Sequence, residues 1–204
     1  MAITQAHSRM VSDVDAGSTY LQGTLGTAAN NVVQLDGSAK LPAVDGSALT
    51  NVSAGKVLQV LRTELNTKPG AGTGTFPHDD TIPQNTEGNE LFTLAVTPTN
   101  ASNKLLINVE VNAAVSATNT AVVALFKDSD ADALQAVDAY IVTNKRHTLN
   151  LSYYATAGST SSITFKVRGG GTNSGEYFYL NGLTSPGSYG NKVVSSITIT
   201  EIAA

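Results

Sequence analysis

Residues 104–112 read Lys-Leu-Leu-Ile-Asn-Val-Glu-Val-Asn. Leu105, Ile107, Val109 and Val111 fall on one side of an extended chain, and Asn108, Glu110 and Asn112 on the other. That alternation is the two-residue period of a strand with one face in a core and one in water. The same period recurs towards the C-terminus. Thr148–Ala155 puts Leu149, Leu151 and Tyr153 on one side, and Ser162–Arg168 does so with Ile163, Phe165 and Val167. Val193–Ile202 alternates Ile197 and Ile199 with Thr198 and Thr200. Lys56–Arg62, Glu90–Val96, Ala121–Phe126, Ala136–Val142 and Tyr177–Leu183 are further apolar runs, enriched in β-branched and aromatic residues. Gly, Asn, Ser and Pro separate them, and no stretch has a helical period. Short strands between such turns predict an all-β fold, an antiparallel β-sandwich of the jelly-roll kind. Leu65–Asn89 concentrates its Gly and Pro in Pro69–Pro77 and reads as a long polar loop.

Upstream the pattern is different. Leu35–Val52 reads Leu-Asp-Gly-Ser-Ala-Lys-Leu-Pro-Ala-Val-Asp-Gly-Ser-Ala-Leu-Thr-Asn-Val, with Asp-Gly-Ser-Ala at Asp36–Ala39 and again at Asp45–Ala48. Asp-Gly is a tight-turn signal, because Gly accepts a positive φ and Asp bonds the backbone two residues on. Leu35, Leu41, Val44, Leu49 and Val52 then lie on a thin ribbon with too few apolar side chains to form a core of its own. Such a ribbon is covered by copies of itself or by neighbouring chains, and two repeats fall short of a single-chain solenoid. A linker with two incidental turns is the alternative. Residues 1–34 show no sustained period and predict a segment ordered only by contact with something else. The chain thus divides into 1–34, a repeat stalk at 35–55, and a sandwich at 56–204.

Composition narrows the function. Charged residues make up 14% of the chain, against ~25% in a typical soluble protein. So few charges favour association, as in an assembly component. The net charge of -4 and the scattering of the 12 basic residues argue against nucleic acid, which asks for clustered Lys and Arg. Without cysteine there is neither a disulfide framework nor thiolate chemistry. The opening Met-Ala-Ile-Thr-Gln has no basic or apolar leader pattern, and no run is long enough to insert into a membrane. The expectation is synthesis in a cytoplasm, with the sequons at Asn51, Asn100 and Asn150 unused.

Several short motifs occur in a characteristic order. The Asp-Gly-Ser-Ala repeat leads into Gly55-Lys56-Val57-Leu58-Gln59-Val60, followed by Val96-Thr97-Pro98-Thr99 and Ser102-Asn103-Lys104-Leu105-Leu106-Ile107. Then come Ala124-Leu125-Phe126-Lys127-Asp128 and the terminal Ile197-Thr198-Ile199-Thr200-Glu201-Ile202-Ala203-Ala204. Over residues 33–204 this series resembles the C-terminal fibre domains of tailed-bacteriophage tail fibres and related virion surface fibres. The resemblance implies a homotrimer with an extended stalk and a sandwich tip, displayed on the virion surface after synthesis in the host cytoplasm. Residues 1–34 lie outside that resemblance and are expected to anchor the fibre to other virion proteins of the tail or capsid. Asp128-Ser129 departs from the Asp-Gly more usual in that hairpin, and the Leu65–Asn89 loop is longer than usual. A tip of this kind would attach to host-surface glycans. A head fibre or decoration protein with no dedicated receptor is one rival, and a free lectin-like module is another.

Few residues fall in patterns that could carry chemistry, and most have a plainer reading. Asp128-Ser-Asp130-Ala-Asp132 opens like a calcium loop, but Ala133 and Ala139 stand where the loop needs its Gly and its bidentate Glu. A solvated hairpin turn accounts for it better. His78-Asp79-Asp80 has no second histidine nearby and reads as an exposed loop. His147, beside Lys145 and Arg146, reads as a polar turn before a strand, and His7 lies in the unassigned N-terminus. No Gly-x-Ser-x-Gly elbow or phosphate-binding loop occurs, and Gly70-Ala-Gly72-Thr-Gly74 neither follows a strand nor opens a helix. No enzyme, cofactor or metal is expected. Tyr177-Phe178-Tyr179 is the exception among these stretches. Alternation puts Tyr177 and Tyr179 on one face and Phe178 with Leu180 on the other, so one face is core and the other an outward aromatic pair. Packing at a subunit interface and stacking against sugar both remain open for that pair. Tyr177, Tyr179, Tyr189 and His78 are the candidate receptor-binding residues, on the two long loop regions Leu65–Asn89 and Gly169–Tyr189.

Overall fold

A computed structural model describes residues 56–66, 70–182 and 189–204. The stalk residues Leu35, Leu41, Val44, Leu49 and Val52, and the segment 1–34, lie outside the described residues. Ten strands follow in order: β1 (Val57–Leu65), β2 (Gly70–Gly72), β3 (Asn89–Val96), β4 (Lys104–Val115), β5 (Asn119–Lys127), β6 (Gln135–Ile141), β7 (Arg146–Thr156), β8 (Ile163–Gly171), β9 (Phe178–Leu180) and β10 (Ser195–Ile202). Among the described residues there is no helix.

The strands form two antiparallel sheets packed face to face. The first runs β1-β10-β4-β9-β2, with β7 paired to the other edge of β4, and the second runs β3-β8-β5-β6. Strand β4 is the centre of the first sheet: Ile107 faces Ile199 of β10 on one side and Tyr153 of β7 on the other. The alternation read from residues 104–112 holds, with Leu105, Ile107, Val109 and Val111 all buried. They meet Leu149, Leu151, Ile197 and Ile199 of their own sheet and Val123, Leu125, Ile163, Phe165 and Val167 of the opposite one. Each such side chain contributes roughly 2 kcal/mol by leaving water, so the facing rows of aliphatics hold the two sheets together.

Alternation along β10 carries one residue further than the aliphatics do. Glu201 shares the inward side with Ile197 and Ile199 and is completely buried. Its Oε1 accepts from the Thr99 backbone N–H at 2.8 Å, the Thr99 hydroxyl at 2.8 Å and Asn103 Nδ2 at 2.6 Å, while Oε2 accepts from Gln59 Nε2 at 2.6 Å. Burial alone would push this carboxyl up, but the hydrogen bonds from Asn103, Gln59 and Thr99 outweigh it and hold the pKa at about 2. Lys56 continues the closure, its carbonyl accepting from Ala203 N–H at 3.0 Å. The buried charge thus ties β1, the β3–β4 turn and the C-terminus together.

The Leu65–Asn89 region corrects the sequence reading of a long polar loop. Leu65 ends β1, β2 pairs with β9, and Thr75 forms a parallel bridge to Gly171. Phe76 is buried against Ala124 and Phe126 on the outer side of the second sheet. Gln84 and Asn85 bond to the β5–β6 turn, and Arg168 Nε donates to the Glu87 carbonyl at 2.6 Å. The segment is a cover with its own small core. Likewise Gly169, Gly170 and Gly171 end β8 rather than open a loop, because each is approached too closely for a side chain: Gly169 by Leu91 and Phe178, Gly171 by Asn119, and Gly170 by the cover. A Cβ on Gly170 would lie 2.4 Å from the Gly74 carbonyl oxygen. Gly-rich composition here marks close packing.

Candidate functional site

The outward side of the first sheet carries the candidate site. Strand β9 is short, and it is placed by backbone pairing to β4, with Ala114 opposite Tyr179 and Val115 opposite Phe178. Beyond the strand, Tyr177 N–H donates to Ser116 Oγ at 2.9 Å and Ser116 N–H donates to the Tyr177 carbonyl at 3.0 Å. With the backbone so held, alternation sends Phe178 and Leu180 into the core, where both are buried. Tyr177 and Tyr179 therefore point outward. Their rings stack with centroids 5.9 Å apart and planes inclined by 13°, and Tyr177 is 48% exposed. Stacked rings held on one strand make a rigid outward aromatic patch at little entropic cost.

Across β4 the row continues to β7, where Arg146 pairs with the same Ala114. Tyr179, Ala114 and Arg146 thus stand side by side on three strands, pointing the same way. Tyr189, 78% exposed, places its ring against Arg146, with Cζ 5.8 Å from the centroid. Three of the four residues expected from the sequence therefore gather at one end of this face. Arg146 was missed: beside Lys145 and His147 it reads as part of a polar turn, and only pairing across β4 brings it to the tyrosines. His78 is not part of the group. It lies exposed in the cover over the second sheet, on the far side of the sandwich. Next to it, side-chain and backbone hydrogen bonds from Thr81 lower the Asp79 pKa, a local turn contact at the surface.

The remainder of the outward face divides into two zones. Val60, Thr200, Leu106 and Tyr154 form one cross-strand row over β1, β10, β4 and β7. Val60 and Tyr154 at its two ends are each 58% exposed. Below that row is a polar trough of about 230 Å³, lined among others by Arg62, Asn108, Glu110, Asn150, Ser152 and Thr198. Arg62 bonds both Glu64 and Thr198, at 2.7 and 2.9 Å, and Ser152 donates to Asn108 at 2.9 Å. These side chains satisfy one another along the sheet. The Asp128 carboxylate accepts from Thr164 N–H, and Asp132 accepts from Gln84. Among the described residues no group of three or more His, Cys, Asp or Glu side chains is placed to hold a metal ion. No described helix is long and apolar enough to cross a membrane.

The family model described as Pgp3 C-terminal domain matches residues 71–204. No curated protein matches the chain. Among solved structures, a sugar-binding protein, the EclA C-terminal domain, is 14% identical, with 66% of this chain and 81% of that one covered and a TM-score of 0.35. The Eiger TNF of S. frugiperda is 13% identical, with 73% and 88% covered and a TM-score of 0.38. Tailspike protein 4 of bacteriophage CBA120 is 15% identical, with 58% and 18% covered and a TM-score of 0.26. Likeness at this level says nothing about ligand or assembly.

Proposed function

The chain belongs to the Pgp3 C-terminal domain family, and we propose that this member is a structural fibre protein on the surface of a tailed-bacteriophage virion. It is made in the host cytoplasm, assembles as a homotrimer, and attaches to host-surface glycans through its sandwich tip. It has no catalytic role and needs no cofactor. The reading rests on the ordered motif series at 33–204 and on one observation above all. A chain with 6% aromatic residues holds Tyr177 and Tyr179 stacked and outward on a strand whose other face is core. Flat aromatic surface facing water is the usual means of stacking on the apolar face of a sugar ring.

The strand order supports a jelly roll. Among the long strands, β1, β4, β7 and β10 lie in the first sheet and β3, β5, β6 and β8 in the second, so that only β5 and β6 are successive long strands of one sheet. The apolar row ending in Val60 and Tyr154 gives the tip a self-association surface, continuing the association that the Leu35–Val52 ribbon requires. Three tips on one fibre raise weak single contacts through effective concentration. Two measurements test the proposal. Light scattering on the full-length protein reads three subunits, and Tyr177→Ala particles adsorb poorly to host cells. A stable monomer at micromolar concentration overturns the fibre. Unchanged adsorption overturns the attachment role.

A further inference from the structure

The tyrosine pair alone would suit a neutral sugar, but its neighbour in the row carries a charge. Arg146 faces outward from the first residue of β7, and the only ion pair among the described residues is Arg62 with Glu64. No described side chain or carbonyl accepts from the Arg146 guanidinium, whose recorded contact is the Tyr189 ring. A guanidinium laid on an aromatic face keeps its donor fork free and oriented, at less entropic cost than a free side chain. Arg146 is flanked in sequence by Lys145, and its ring partner Tyr189 is followed by Lys192, in a turn closed by the Lys192 N–H on the Tyr189 carbonyl. The acidic side chain closest in sequence to the pair is Glu176, half-buried, with one oxygen towards Asn173.

Resting on the reading that the tip binds glycans, we infer that its ligand is a carboxylated glycan. A sugar ring stacks on Tyr177 and Tyr179, and its carboxylate is held by Arg146. Spacing supports the pairing. Tyr179 and Arg146 are two strands apart, which separates their backbones by roughly 10 Å, a distance that a sugar ring and its carboxylate span. Ala114 between them is small and completely covered by its surroundings, so no third long side chain stands between the two in the row. Arginine in place of lysine fits as well, because its two parallel N–H groups match the two oxygens of a carboxylate. One guanidinium matches a singly charged acid. A polysulfated chain would ask for a line of cations.

The test uses the full-length protein on immobilised oligosaccharides, comprising uronate oligomers and sialyllactose, each beside its carboxyl-reduced counterpart. Wild type is expected to favour the carboxylated members by about tenfold, the effect of one charge-assisted contact. Arg146→Ala is expected to abolish that preference and Arg146→Lys to restore part of it. Tyr177→Ala is expected to weaken carboxylated and reduced members alike. Light scattering and β-sheet content of the variants serve as the folding control. Equal binding of acids and reduced sugars, or a preference that survives Arg146→Ala, overturns the carboxylate inference and leaves glycan attachment standing. Binding to no member of the set overturns both.

Discussion

Asn103 Nδ2 donates to Glu201 Oε1 across 2.6 Å, joining residues 98 positions apart in the chain. With Thr99 and Gln59 supplying the other donors, the carboxylate is fully hydrogen-bonded in a site that excludes water. Its pKa of about 2 lies below the ordinary 4.5, so the folded state binds this proton less readily than the unfolded chain. The resulting stability is fully present above pH 4.5 and is lost as pH falls towards 2. Glu201→Gln is expected to cost about 2 kcal/mol at neutral pH through lost charge-assisted bonds, and to flatten the acid limb of the stability curve. Urea titrations between pH 2 and 7 check both. An acid limb as steep as wild type would refute the assignment.

The cover over the second sheet is expected to behave as core. At Gly88, where φ is +58, an added Cβ would lie 2.2 Å from Phe76 Cε2. Gly88→Ala therefore combines backbone strain with a clash against a buried ring and should cost about 2 kcal/mol or more. Phe76→Ala should cost about 3 kcal/mol by leaving a cavity. Deleting Gly70–Gly74 should also destabilise, since that segment pairs with β9 and packs against Gly88 and Gly170. Thermal melting distinguishes this from a free loop, for which all three changes would leave the midpoint in place.

Ile107 is flanked by Ile199 and Tyr153 and wholly buried. Ile107→Asp would place an unpaired charge at the centre of the first sheet and is expected to prevent folding. Ile107→Val, a loss of one methylene, is expected to cost about 1 kcal/mol. Expression and circular dichroism of the two variants separate them. A soluble, cooperatively unfolding Ile107→Asp protein would contradict the placement of β4.

Association should respond to two separate regions. Tyr154→Lys at the end of the exposed row should weaken self-association of the tip by adding a charge to each copy of the interface, while leaving its melting temperature nearly unchanged. Leu41→Asp in the repeat should weaken assembly far more than it harms the tip, since burying one such leucine contributes roughly 2 kcal/mol per chain. Light scattering over a dilution series reads both. A mass that neither change affects would place the subunit contacts elsewhere.

The two levels divide along a physical line. Period-two alternation was sufficient to find the long strands, most of their inward rows and the turns between them, because each of those features is local and most inward residues are apolar. It also placed Phe178 and Leu180 opposite Tyr177 and Tyr179 before any neighbour was known. It did not reach Phe76, a single aromatic between Thr75 and Pro77, because a cover has no period of its own and its partners lie on β5. It did not reach Glu201, whose burial depends on donors from two distant segments, β1 and the β3–β4 turn. Nor did it reach Arg146, which looks like part of a polar turn until β4 sets it in one row with Tyr179. The amino-acid order by itself determined which residues face inward along each strand, since backbone geometry alternates side chains without reference to anything else. Only the tertiary structure decided which outward residues stand together, since that depends on register between strands far apart in the chain.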